Sequence, residues 1–396
     1  MKTYAKLAAI FTLSSAAFAP SLFAQLNIPS DGSDGALVIS NNTVIDLSQA
    51  VTGNWTNNNT ANAGKGIYDP NKWAVVFKYS SVNISNGATL TFTNHPTHAP
   101  AVWLVSGDVA NNGEISLDGQ YTSLNQTNTA EPGPGGFRGG TSVMSGFGPG
   151  GGYNNYGYYS SPTYGYGNQQ IVPLIGGSGA GANNLGSYSA GGGGAILIAS
   201  SGTININGSV HANAGYYYSG YGGVYYGAGG AIRLIAGQLS GNGSIAVSGS
   251  DPGRFRLEAT NIGNFHISIP GNGNPLDVVV SPFPLTIWPA ANSPTVQVMT
   301  ISNVNANLTA PVEPKAALGA GQDDLAIATS TAVTIGLHTS NFPTNGTVNV
   351  YIKSLYNGQT VLPASWVSGN SNSANWQLVT TLPVNHTVIQ ARAVVP

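Results

Sequence analysis

One short phrase is spoken four times in this chain, and a repeat of that kind limits what it can fold into. AILIASSGTININGSVHANAG begins at Ala195 and AIRLIAGQLSGNGSIAVSGS at Ala231, with earlier copies beginning at Ala74 and Ala101. Each opens with a small residue and an apolar run, such as Ile196, Leu197 and Ile198 or Ile232, Leu234 and Ile235. An Asn-Gly corner follows, and then an alternating run. The offset from the opening Ala to the corner Asn is 12, 11, 12 and 11 residues in chain order. No copy is long enough to bury its own apolar face, so neighbouring copies must stack. Alternating side chains then point in and out of the stack. Asn-Gly is expected to supply the positive φ that a sharp corner needs. If each copy buries about five aliphatic side chains at roughly 1.5–3 kcal/mol apiece, stacking contributes on the order of ten kcal/mol before ordering entropy is subtracted. Asn-Gly is equally the strongest hairpin signal, so plain antiparallel hairpins are the competing reading.

Composition agrees with an all-β chain. Only 7% of the 396 residues are charged, Gly numbers 54, and no helix-period stretch follows the leader. The expected fold is a parallel β-helix (β-solenoid) over 25–275, with a Gly/Tyr-rich excursion at about 121–194. A Pro-rich linker at 276–293 then leads into an immunoglobulin-like β-sandwich over 294–396, read from about seven short alternating runs. The segment 253–270 reads as a worn last repeat or cap. Residues 1–24 read as a secretory signal peptide, with Lys2 and Lys6 before an apolar run too short to span a bilayer and cleavage expected after Ala24. Formal charge is −2 and becomes more negative without Lys2 and Lys6, so neither nucleic acid nor an anionic membrane is an expected partner. No later segment reads as a transmembrane span. With no cysteine, disulfides and thiolate metal sites are excluded, and no cofactor is expected.

Candidate chemistry is sparse. No P-loop, GxGxxG, G-x-S-x-G or H-E-x-x-H motif occurs. Asp31 and Asp34 in DGSDG read as a turn, with calcium as the alternative. His95 and His98 in NHPTHAP read as loop residues, with a metal pair as the alternative. Glu114 and Asp118 have the even spacing that puts two carboxylates on one strand face, as glycoside hydrolysis would require. Arg233, Arg254 and Arg256 lie in the later repeats, and Glu258 has the spacing of a same-face ion pair with Arg256. The excursion is where the sequence departs most from what a fold needs. Thirteen of the 19 tyrosines fall between Tyr153 and Tyr226, and tyrosine gives a rigid face and a hydroxyl at small entropic cost. Tyr153, Tyr156, Tyr158, Tyr159, Tyr164, Tyr166, Tyr217 and Tyr221 are therefore the candidate binding residues, with local packing as the competing explanation.

The AILIAS and AIRLIA runs, EPGPGGFRGG and the NG corners together resemble secreted glycine-rich bacterial surface proteins with a parallel β-helix, of the adhesin-like kind. The resemblance spans about residues 70–260. It implies a non-catalytic surface, matrix or adhesion role, outside the cell or at its surface (with the periplasm as an alternative), and it transfers no catalytic residue. Expected partners are polysaccharide or matrix components. The alternatives are a polysaccharide lyase or hydrolase on the same scaffold, and self-association through open solenoid ends.

Overall fold

The computed structural model describes residues 26–56, 62–121, 130–140, 146–148, 150–152, 169–181, 189–218, 224–270, 277–281, 287–288, 292–303, 332–354, 358–382 and 387–395. Among these there is no α-helix. The one helical turn is the 3-10 segment Leu47–Gln49, capped by Asp46. The repeats pair in parallel along three ladders. The first ladder joins Ala74–Tyr79, Ala101–Val105, Ala195–Ser200 and the opening half of Ala231–Gly241. The second joins Ser81–Ile84, Val109–Asn111, Thr203–Ile206 and the closing half of Ala231–Gly241. The third joins Thr89–Thr93, Glu114–Ser116, Ser209–His211 and Ser244–Ala246. Each repeat is thus one rung of three strands.

The paired register brings all but one of the offsets into line. Val75, Ala101, Ile196 and Ile232 stand side by side, and from them the corner Asn lies 11, 11, 11 and 10 positions on. The stack also reaches beyond the four copies. Ala36–Ile39 and Thr43–Asp46 lie in parallel beside the second and third ladders, so this region contributes two strands. Arg254–Phe265 runs beside the whole of Ala231–Gly241, and Ser268 bridges to Ser244, which makes 253–270 a further rung. Asp277–Ser281, inside the stretch expected to be a linker, adds another strand to the first ladder.

The ladders differ in what covers them. Inward columns such as Phe77, Trp103, Ile198, Leu234 and Leu257, or Leu90, Ile115, Val210 and Ile245, form one continuous core. The outer face of the first ladder is buried too. Val76, Val102, Leu104, Leu197 and Ile235 pack there against Ile28 and Trp55, with Leu174, Ile287 and Trp288 alongside. A strand covered on both faces needs apolar residues throughout, which is why AILIAS does not alternate while TINI does.

Glycine at the corners answers a different need from the one expected. Gly87 does take a positive φ of 79°, in a corner of four residues, 85–88. Gly113, Gly208 and Gly243 do not, and their corners are two residues long. There a Cβ on Gly113 would collide with Ala88 O, one on Gly208 with Gly113 O and one on Gly243 with Gly208 O. The rungs approach so closely that only a residue without a side chain fits the column.

The same constraint governs the glycine-rich excursion. Gly192, Gly193 and Gly194 donate in succession to Phe137 O, Ala228 O and Leu117 O, at 2.9, 3.0 and 2.8 Å. Their carbonyls accept from Gly133, Gly177 and Ala231 at 3.1, 2.7 and 2.9 Å. A strand sends its backbone bonds to two sides only. Bonds leaving three successive residues in three directions are the pattern of a thread with three residues per turn. Such threads bury one another by backbone contact, and Phe137 and Phe147 carry their edge into the main core. The described part of the excursion is therefore packed without a conventional side-chain core of its own.

The C-terminal portion has two antiparallel sheets. One orders Thr295–Asn303, Ala332–Ser340, Ser373–Thr381 and Ser365–Asn370; the other orders Gly358–Pro363, Thr347–Ser354 and Thr387–Val394. Val333, Ile335, Val348, Val350 and Trp376 lie in one shared core, where Trp376 Nε1 donates to Thr339 Oγ1 at 2.9 Å.

Two consequences can be measured by chemical denaturation. Gly208→Ala should destabilise the chain by about 2–3 kcal/mol through overpacking, whereas Gly237→Ala, whose Cβ meets only Gly202 O at 3.7 Å, should stay within about 0.5 kcal/mol. On the covered outer face, Glu258 Oε1 takes bonds from Arg233 Nε at 2.7 Å and Arg256 Nε at 2.9 Å, with all three groups buried. This is the ion pair expected from the spacing of Arg256 and Glu258, joined by a second arginine. Glu258→Ala leaves two desolvated guanidinium groups facing each other and should cost about 3–5 kcal/mol.

Candidate functional site

Two neighbouring rungs run side by side over 114–121 and 209–216. Their alternation sends Ile115, Leu117, Val210 and Ala212 into the core and leaves Glu114, Ser116, Asp118, His211 and Asn213 outside. His211 stands beside Ser116 in the ladder and so lies diagonally between the two carboxylates of the adjacent rung. Its Nε2 is 2.8 Å from Glu114 Oε1, and its Nδ1 is 2.9 Å from Asp118 Oδ1, off the line of a good hydrogen bond. Asp118 Oδ1 also accepts from Asn213 N at 2.6 Å, and Glu114 Oε2 from Thr89 Oγ1 at 3.4 Å. Burial opposes a charge on His211, but the neighbouring carboxylates of Asp118 and Glu114 outweigh it and raise its pKa. Lying between the two carboxylates, the ring pins one rung to the next.

The same two rungs end in tyrosine. Tyr216–Tyr218 and Val224–Tyr226 form a two-stranded antiparallel ribbon in which Tyr216 opposes Tyr226 and Tyr217 opposes Tyr225. Tyr121 stacks on Tyr216 with centroids 5.5 Å apart and planes 18° apart, and Tyr226 lies 6.1 Å from Tyr216. These three rings are 59%, 45% and 42% exposed for Tyr121, Tyr216 and Tyr226, and form a contiguous aromatic platform. The other face of the ribbon turns inward. Tyr217 is 1% exposed, packs with Ala180 and Ala190, and stacks on Tyr225 at 6.1 Å. Of the binding tyrosines read from the sequence, Tyr217 therefore follows the packing explanation, because strand alternation turns it away from Tyr216. Tyr153, Tyr156, Tyr158, Tyr159, Tyr164, Tyr166 and Tyr221 lie outside the described residues. Tyr121, Tyr216 and Tyr226 went unselected in the sequence. The clue available there was alternation within YYY and VYY, which separates Tyr216 from Tyr217.

The remaining candidates are occupied by the fold. Asp34 accepts from Gly64 N at 2.7 Å and Lys78 N at 2.6 Å, while Asp31 accepts from Ser33 N at 3.0 Å and pairs with Lys78 Nζ at 3.2 Å. With oxygens of both carboxylates engaged by protein donors, DGSDG acts as a turn clamp. His95 bonds Thr97 Oγ1 at 2.8 Å and stacks on Tyr68. His98 is buried 3.4 Å from Glu131, which also pairs with Arg138 at 2.7 Å, so NHPTHAP docks onto EPGPGGFRGG. Among the described residues no group of three His, Asp or Glu side chains is arranged to share a metal ion.

His98 and His211 oppose each other in pH. Desolvation pushes His98 down to about 4, so its contribution is present above the unfolded value of 6.5 and lost as pH falls toward 4. His211 has the opposite sign: its contribution is complete below 6.5 and is lost as pH rises through its raised folded value. His98→Asn should flatten the acid-side fall in melting temperature, since Asn tolerates the positive φ of 51° at that position. His211→Gln should lower the melting temperature near pH 6 and flatten the fall above pH 6.5. Melting curves taken across that range check both.

No protein-family model, curated protein or solved structure matches this chain.

Proposed function

We propose that the chain is an exported, non-catalytic surface or matrix protein that binds polysaccharide through the platform of Tyr121, Tyr216 and Tyr226. On this reading the three parallel ladders are a parallel β-helix, and the two C-terminal sheets an immunoglobulin-like sandwich. The observation that carries the proposal is the platform itself: three contiguous, half-exposed rings held at the end of two pinned rungs. Tyrosine faces stack on the apolar faces of sugar rings while their hydroxyls stay hydrated. Glu114 and Asp118 outnumber the single histidine between them and leave a net negative charge along the same rungs, which suits neutral or amino sugars better than uronates. No helix among the described residues is long and apolar enough to cross a membrane.

One observation favours the second reading, a carbohydrate-active enzyme on the same scaffold: Glu114 and Asp118 do converge with a histidine. Their arrangement weighs against hydrolysis. The imidazole fills the space between the carboxylates, where a glycosidic bond and its water would have to sit. With both ring nitrogens facing carboxylates, it is also poorly placed to take a proton from a substrate.

A glycan array and polysaccharide pull-down with the chain from Gln25 onward separates the readings. Replacing Tyr121, Tyr216 and Tyr226 together by Ala should weaken binding at least about tenfold. Undiminished binding by that variant would overturn the proposal. Release of new reducing ends or unsaturated products, abolished by His211→Gln, would establish the enzyme instead.

A further inference from the structure

With no cysteine in the chain, no disulfide can tie the glycine-rich excursion to the ladders. Tyr121 and Tyr216 occupy the positions such a tie would need. Residues 122–215 lie between them in sequence, yet the two rings stack across neighbouring rungs at 5.5 Å with planes 18° apart. The backbone beneath them is fixed. Gly119 N donates to Asn213 O at 2.9 Å, Gln120 N to Glu131 O at 2.8 Å and Gly215 N to Gly191 O at 2.9 Å. Both rings are open to solvent and hence to an oxidant.

We propose that Tyr121 and Tyr216 are an oxidative modification site, joined as dityrosine by a peroxide-driven one-electron oxidant of the haem peroxidase class. Each phenol gives up one electron and its phenolic proton, leaving a phenoxyl radical with spin density on the carbons ortho to oxygen. A carbon–carbon bond forms between an ortho carbon of each ring. The hydrogens at those carbons then move to the oxygens and restore two phenols. In total two electrons and two protons leave the pair, and one hydrogen peroxide takes them up to become two waters. Parallel rings already in contact need only a small side-chain movement to bond, whereas radicals on separated tyrosines must wait for an encounter.

The molecule contains its own comparisons. Tyr217 and Tyr225 stack with the same 18° between planes, but Tyr217 is sealed from solvent. Tyr226 is exposed like Tyr121 but is tilted by 50° from Tyr216. Geometry alone would favour both stacked pairs and exposure alone would favour all three platform rings; among the described residues only Tyr121 and Tyr216 satisfy both.

The test treats dilute purified protein with a haem peroxidase and hydrogen peroxide, follows dityrosine fluorescence, and maps the cross-linked peptides by mass spectrometry. The expected principal intramolecular product joins the peptides carrying Tyr121 and Tyr216. Closing so long a loop should raise the melting temperature by on the order of 10 °C. Tyr121→Phe should melt like the wild type before oxidation and show neither that product nor the rise after it. The proposal is overturned if this link is absent or minor. That includes cross-links that map to Tyr216 with Tyr226, to Tyr217 with Tyr225, to tyrosines outside the described residues, or only between molecules. No polysaccharide enters the experiment, so its result leaves the binding proposal to its own test.

Discussion

Backbone approaching backbone is the contact on which this molecule depends. At the column of Gly113, Gly208 and Gly243 the rungs come together at a distance that no side chain could occupy. In the thread 189–194 the same approach occurs on several sides at once. Close approach of this kind turns peptide groups into the packing surface, and every buried N–H and C=O must then find a partner in a neighbouring segment. This accounts for a composition so rich in glycine and so poor in charge: a long or charged side chain would hold the segments apart. Aliphatic residues are concentrated where the ladders need them, in inward columns and beneath the covered outer face of the first ladder.

Much of this architecture was legible in the sequence, and the gaps have identifiable causes. The repeats, their corners and their apolar runs were visible because a stacked strand repeats its in-and-out pattern. Register was misjudged by one residue at Ala101, because Ala is small enough to open a strand or to stand one place inside it, opposite Val75 and Ile196. The reason for glycine at three corners was misread, because a residue letter does not distinguish a positive φ from a lack of space. The rung at 36–46 and the strand Asp277–Ser281 lack the repeated phrase; pairing with a neighbour is what makes them strands. Glycine threads were hard to foresee for a related reason. Their stabilising contacts are between peptide groups, which every residue has, so no hydrophobic periodicity marks them.

The site was legible in part. Glu114 and Asp118 could be placed on one strand face from spacing alone, but His211 follows them by more than ninety residues and only the ladder brings it between them. The tyrosine-rich composition drew attention to this part of the chain but could not separate Tyr216 from Tyr217. Tyr217 and Tyr216 are adjacent and chemically identical; strand alternation alone buries one and exposes the other. Such assignments need the ribbon's register, which a count of aromatic residues does not contain.

Charge economy links these features to the proposed role. With few ionisable groups available, several of those described are committed to holding segments together: Lys78 to Asp31, Arg138 to Glu131, Arg233 and Arg256 to Glu258, and His211 to Glu114 and Asp118. A catalytic acid or base must be free to gain and lose a proton in contact with substrate, and a group committed to an ion pair is poorly suited to that task. The platform tyrosines are under no such commitment. Their rings are held by the ribbon and the rung while their faces remain exposed, so binding a partner need not break any of the contacts that maintain the stack. On the proposed reading, the paired charges hold the scaffold and the exposed aromatic faces are left for a partner.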